Sequence, residues 1–229
     1  MCTVTYFPTK TGAIITSNRD ENAARGNTLE PATYYFDDQK IVYPKDEKSS
    51  GTWIAYNQNN CVAVLLNGAL DKHIPNRIYK QSRGFIITAI LKTNNPIETI
   101  DNIDFEGIEP FTIILYTTTA LFEYRWNSIE LFKKQIDLKI PHIWSSSTLY
   151  NKEIIEKNVE DYSIFIQRQN DITAGDILVF HQTKKYEVRL PLQSKINNIK
   201  TISITQIQTT IEASIISYYD LIKLDVSVG

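Results

Sequence analysis

The sequence predicts an α+β fold in which a few helices pack on antiparallel sheets. Three observations lead there. Short runs of β-branched and aromatic residues recur along the chain, separated by turn-forming residues. Two longer segments carry apolar residues at spacings of three and four. The chain has 229 residues, 42% of them hydrophobic and 22% charged, which is enough to bury a sizeable core as a single domain spanning residues 1–229.

The elements follow in order. Cys2–Phe7 and Ala13–Asn18 read as a hairpin around the turn-rich Pro8-Thr9-Lys10-Thr11-Gly12. Gln39–Tyr43, Thr52–Tyr56 and Cys61–Leu66 read as strands, and Asn57-Gln58-Asn59-Asn60 is a tight turn between the last two. Arg77–Leu91 is the first helix, with Ile78, Phe85, Ile86, Ala89 and Ile90 as its apolar positions. Phe111–Tyr116 and Leu121–Trp126 form a second hairpin, and Ile129–Phe132 continues it. Asn151–Ile166 is the second helix, carrying Ile154, Ile155, Val159, Tyr162 and Ile166. Asn151 is its candidate N-cap. A shorter helix covers Thr173–His181. Lys185–Arg189, Thr201–Ile207, Ala213–Tyr218 and a segment ending near Leu224 complete the strands.

Charge and composition exclude several classes. With 24 Lys+Arg against 26 Asp+Glu, the formal net charge of -2 gives no reason to expect a nucleic-acid partner or an anionic membrane surface. No apolar run reaches the length of about 18 residues that a membrane span requires. Met1 to Pro8 lacks the basic and long apolar regions of a secretory leader, so a cytoplasmic location is expected. The 2 cysteines, Cys2 and Cys61, cannot build a disulfide framework. His73, His142 and His181 are dispersed without ligand spacing, so no metal is expected. Cys61 reads as a small buried hydrophobe on a strand. Gly51 reads as a position with a special backbone angle.

Cys2 has two readings. It either just begins a strand, or removal of Met1 makes it the N-terminal residue. In the second case one residue holds both a thiol nucleophile and an α-amine of pKa about 7.7–8.0 that serves as its general base. The first hairpin bears on this. A turn centred near Thr9 and Lys10 pairs residues whose numbers sum to about 19 or 20, as a tight hairpin requires. Cys2 then faces Ser17 or Asn18, and Arg19, Asp20 and Glu21 follow at once. A guanidinium at Arg19 favours thiolate. A carboxylate at Asp20 accepts a hydrogen bond from the amine and orients it. An ordinary charged strand exit, with Glu21 pairing to Lys10 or Arg25, is the other reading of this cluster.

The opening Met1-Cys2-Thr3-Val4 together with Asn18-Arg19-Asp20-Glu21 resembles the NRDE family, also called the transport and Golgi organisation family. Pro44-Lys45-Asp46 followed by Gly51-Thr52-Trp53 matches its Gly-Thr-Trp block, and Leu65-Leu66-Asn67-Gly68 matches its Asn after an apolar strand. Glu109-Pro110-Phe111, His142 to Leu149 and Thr201 to Ile207 match later blocks. The family in turn is similar to N-terminal-nucleophile hydrolases of the penicillin V acylase and bile salt hydrolase group.

That resemblance implies a four-layer αββα sandwich and cleavage of a non-peptide C–N amide bond of a small molecule by Cys2. Arg19 and Asp20 take the places of the group's Arg and Asp, and Asn67 that of its oxyanion-hole Asn. Asn18, Trp53, Trp144 and Ser146 are the expected substrate contacts. Asp46 is a further candidate to hydrogen-bond into the site from its loop. Two departures are visible: the block Trp144-Ser145-Ser146-Ser147 has Ser146 where the group has a second Asn, and Gln206 stands where it has a late Arg. They thin the support for a transition state. The alternative implied by the family is a non-catalytic carrier or trafficking protein that binds haem or an apolar ligand on the same fold.

Overall fold

The computed structural model describes residues 3–22, 28–74, 78–169, 171–184 and 199–222. Cys2, the strand expected over Lys185–Arg189 and the segment near Leu224 lie outside the described residues. The elements are β1 (Thr3–Pro8), β2 (Gly12–Asn22), β3 (Thr28–Phe36), β4 (Gln39–Asp46), β5 (Ile54–Asn57) and β6 (Val62–Asn67). Two helices follow, α1 (Gly84–Leu91) and α2 (Pro96–Asn102). Then come β7 (Phe111–Tyr116), β8 (Leu121–Trp126), β9 (Leu131–Ile136) and β10 (His142–Ser145). The chain continues with α3 (Lys152–Gln167), α4 (Ala174–Thr183), β11 (Ile199–Thr210) and β12 (Ser214–Asp220).

Among the described residues these strands make two antiparallel sheets, β10-β1-β2-β11-β12 and β3-β4-β5-β6-β7-β8-β9. Strand alternation assigns every side chain to a layer. Along β6, Val62, Val64 and Leu66 face the other sheet, where they meet Val4 and Tyr6 of β1 and Ile15 of β2. Ala63 and Leu65 face the opposite way, onto Ile86, Ile87, Ile90 and Leu91 of α1. Ile14 of β2 faces outward onto Tyr162 of α3 and Ile177 and Phe180 of α4. The order of layers is therefore helices, seven-stranded sheet, five-stranded sheet, helices. This is the expected α+β sandwich, with one apolar core between each pair of layers.

Local chemistry explains most boundaries. Asn151 caps α3 by accepting from the Ile154 N–H at 2.9 Å. Thr173 and Asp176 form a reciprocal capping box at the start of α4. The first helix is shorter than the expected Arg77–Leu91. It starts at Gly84, and Ile78, expected on its apolar face, is exposed. The hairpin register also differs from the expected one. Pro8 pairs with Ala13 and Thr3 with Asn18, so the turn centres between Lys10 and Thr11. Gly12 belongs to β2 because its bare Cα lies against the Thr209 carbonyl, where a Cβ would come within 1.9 Å of the oxygen.

Candidate active-site cleft

The tetrapeptide Asn18-Arg19-Asp20-Glu21 lies on β2 and so alternates between faces. Arg19 shares the face of Ala13 and Ile15 and enters the space between the sheets. Its guanidinium sits 4.4 Å from the centre of the Trp53 ring, donates to Thr28 Oγ1 and pairs with Asp46. Asp46 ends β4. Its other carboxylate oxygen accepts from the Ser49 N–H at 2.7 Å, within a turn that places Ser50 at φ 58°. Both partners of this ion pair are buried.

Asn18 and Asp20 point the other way. Asn18 is fully buried against α4. Its amide donates to the carbonyls of His181 (3.1 Å) and Lys184 (3.3 Å), and its Oδ1 meets His181 Nδ1 at 2.8 Å. These bonds satisfy the end of the helix rather than face the cleft. Because the amide nitrogen is used by carbonyls, Oδ1 is an acceptor and Nδ1 carries the proton. Thr5 Oγ1 then donates to His181 Nε2 at 2.8 Å. Burial drives the His181 pKa down to about 3, so the ring is neutral. Asp20 accepts from the Thr201 hydroxyl and from the Tyr150 hydroxyl, the latter at 3.3 Å. Arg19 and Asp20 are thus neighbours in sequence on opposite faces of one strand.

Arg19, Asp46, Trp53 and Asn67 line one cleft together with Glu21, Ser49, Gly51, Thr52, Leu65, Ser82, Arg83 and Gly84. It encloses about 460 Å³, counting space open to solvent. Apart from Trp53 and Leu65 its walls are polar, charged or glycine. Gly51 is needed here for close approach and not for its backbone angle, since positive φ among the described glycines is confined to Gly68 and Gly107. A Cβ on Gly51 would lie 2.9 Å from the Gly84 Cα, and the Thr52 N–H donates to the Gly84 carbonyl at 3.3 Å. The Gly-Thr-Trp block is therefore where the start of α1 docks onto the cleft wall.

Asn67 ends β6 at the cleft, and its carboxamide has no hydrogen-bond partner among the described residues. Ser146 lies beside it but is committed to it: the Ser146 Oγ donates to the Asn67 carbonyl at 2.7 Å and bonds Thr148 Oγ1 at 2.9 Å. Trp144 is not in this cleft. It lines a separate groove, with His142, Arg125, Ile155 and Val159, and donates its indole N–H to Glu123 at 2.5 Å. Gln206 lies outside both, bonding Thr16 Oγ1 and the Ala174 carbonyl beneath α4. Cys61 is a free, buried cysteine whose thiol is pushed up by burial.

Sequence reasoning missed Ser82, Arg83 and Gly84 as cleft residues, having assigned them to a helix interior. Arg83 is fixed at the mouth by Glu109 at 2.9 Å and the Pro110 carbonyl at 2.9 Å. The glycine at 84 was the available sign, since glycine within a helical pattern marks a boundary or a close contact.

The family model described as Transport and Golgi organisation 2 matches residues 1–214. No curated protein sequence matches the chain. Among solved structures, the chain is similar to an N-acylethanolamine-hydrolyzing acid amidase ortholog of Caenorhabditis elegans, at 11% identity and TM-score 0.61, covering 93% of this chain and 94% of that one. It is similar to penicillin V acylase from Agrobacterium tumefaciens at 10% identity and TM-score 0.58, covering 99% and 88%. It is also similar to conjugated bile acid hydrolase from Clostridium perfringens at 11% identity and TM-score 0.54, covering 97% and 93%. The shared feature is the N-terminal-nucleophile hydrolase fold.

Proposed function

We propose, for a chain that belongs to the Transport and Golgi organisation 2 family, an N-terminal cysteine hydrolase acting on a non-peptide C–N amide bond of a small acylated molecule. Its cysteine-poor composition suits a cytoplasmic, reducing setting. The observation that carries the reading is the assignment of faces on β1 and β2. Val4 and Tyr6 face the space between the sheets, as does Arg19, whose guanidinium lines a cleft that Asn67 also lines. Arg19 is thereby presented to the cleft and Asp20 is held on the other face of β2, and in the proposed chemistry the cation serves the thiol and the carboxylate the amine.

In this mechanism removal of Met1 frees the Cys2 amine. Sγ attacks the acyl carbonyl carbon, its proton passes to the α-amine, and the C–S bond forms. Asn67 donates its side-chain N–H to the developing oxyanion, and Arg19 supports the thiolate. The C–N bond then breaks as the ammonium returns the proton to the leaving amine. Water attacks the thioester, giving its proton to the α-amine, and the acid leaves as the thiol re-forms. Ser146 serves by holding the Asn67 carbonyl.

Intact-mass measurement with an activated acyl probe tests this. The purified chain is expected to lack Met1 and to gain one acyl group on Cys2. Asn67→Ala is expected to slow acylation by about 10²–10³-fold, the usual cost of an oxyanion donor. Retention of Met1, or labelling that survives Cys2→Ala, overturns the mechanism.

A second reading has its own observation. The groove beside Trp144 encloses about 1750 Å³, counting space open to solvent, and includes Leu70, Ile136, Ile143 and Leu149. His142 stands in its wall, kept toward the neutral form by burial and then Lys134, and its buried Nε2 has no hydrogen-bond partner among the described residues. A neutral imidazole is the ligand haem iron takes, so a non-catalytic haem- or lipid-binding role would use this groove. A Soret shift on haem titration that His142→Ala abolishes supports haem binding; an unshifted Soret band overturns haem binding.

A further inference from the structure

We infer that Asp46 is a positioning residue that sets how much positive charge Arg19 presents to the cleft; this rests on the reading of Cys2 as the nucleophile. A guanidinium lowers a neighbouring thiol's pKa only by the field it exerts there. Arg19 does not stand alone. Asp46 touches it directly, and the pair lies out of solvent, where water screens little. At any point about equally distant from both charges, the two fields largely cancel.

The pairing is built into the backbone. One Asp46 oxygen takes the Ser49 N–H and the other takes Arg19. The Asp46 N–H donates to the Gly51 carbonyl at 2.9 Å, and its carbonyl accepts from the Ser50 N–H at 2.8 Å. The carboxylate therefore cannot turn away without undoing the turn after β4. Arg19 is pinned from the other sides by the Trp53 ring and Thr28.

Among the described residues, other charged and titratable groups lie near it, Asp220 of β12 among them, which acts with Arg19 on Tyr218. Glu21 lines the same cleft, Arg83 is tied to Glu109 at the mouth, and Asp20 lies across the strand. Tyr218 of β12 feels the Arg19 charge too, but burial dominates and raises it, so it is neutral near pH 7. Asp46 makes the direct ion pair with the guanidinium.

The test is the pH dependence of iodoacetamide alkylation at Cys2, mapped by peptide mass on the full chain. Asp46→Asn is expected to lower the titration midpoint by about one pH unit, raising the rate well below the midpoint about tenfold. Arg19→Gln is expected to raise the midpoint, and the double variant to resemble Arg19→Gln, because no cation is left to unmask. Asp46→Glu keeps the charge and is expected to titrate like the wild type, which keeps the test open if Asp46→Asn fails to fold. An Asp46→Asn midpoint that stays or rises while Arg19→Gln shifts overturns the role of Asp46 alone. So does an Asp46→Glu midpoint displaced as far as that of Arg19→Gln. If Arg19→Gln leaves the midpoint unmoved, Arg19 exerts no field on the thiol and this inference fails, whereas the nucleophile reading fails on Met1 retention or on labelling that survives Cys2→Ala.

Discussion

Gly51 and Gly84 meet backbone to backbone, and the cleft has its wall because neither carries a side chain. Gly51→Ala places a methyl 2.9 Å from the Gly84 Cα, and backbone cannot swing aside as a flexible side chain would. Overpacking of this kind costs about 1–3 kcal/mol. At about 2–4 °C per kcal/mol for a chain of this size, a lower Tm is expected in a thermal melt; an unchanged Tm would contradict the contact. The Gly-Thr-Trp block was legible in the sequence, but its reason was not, since the partner glycine is remote in the chain. Arg19 and Asp20 teach the converse. The sequence brought both to the start of β1, and period-two alternation alone separates them onto two faces. The observed register, with Thr3 opposite Asn18, fixes which face each takes.

Helix α4 is seated on β1 and β2 through His181, which is fully buried between Thr5 and Asn18. Its pKa falls to about 3 on folding, below the ordinary value of about 6.5. A depressed folded pKa means that the unfolded chain binds the proton first. The contribution to stability is therefore complete above about pH 6.5 and is lost as pH falls toward 3. At pH 5 that loss is about 2 kcal/mol. Urea midpoints at pH 7 and pH 5 check this: His181→Gln, which takes no proton, is expected to lose less between them than the wild type. Equal losses would show that His181 does not titrate this way. At this scale the sequence was uneven. β7 and β8 were legible to the residue because compact apolar runs bounded them. β3 was missed because most of its side chains are exposed and Pro31 interrupts its pattern. α2 was missed although its signal was present: Asn95 caps it, Pro96 begins it, and Glu98 supplies the N–H that Asn95 accepts.

The three apolar cores share their sheets, so no layer can lose its packing without exposing a face of the next. Unfolding is expected to be a single transition, and the tryptophans report on it from different layers. Trp53 and Trp144 belong to the core between the sheets, and Trp126 to the core beneath α1. Tryptophan fluorescence and far-UV circular dichroism should therefore give coincident denaturant curves. Separated curves would mean that the outer helical layers come off first. The α+β class was legible from alternation and helical spacing. The partition of strands between sheets was not, because β10 and β11 join β1 and β2 from far along the chain, and only tertiary packing selects such pairings. The cleft suffered most from this. Its residues come from the ends of β2, β4 and β6 and the start of α1, which meet only when the layers stack.

The alternation along β2 makes its tetrapeptide two interleaved messages rather than one. Asn18 and Asp20 are addressed to the helical side, Arg19 to the cleft. Spacing on this strand works like a reading frame. A substitution alters one word, but an insertion or deletion of a single residue before Asn18 would exchange the two sets of recipients at once, sending the cation to the helix and the carboxylate to the cleft.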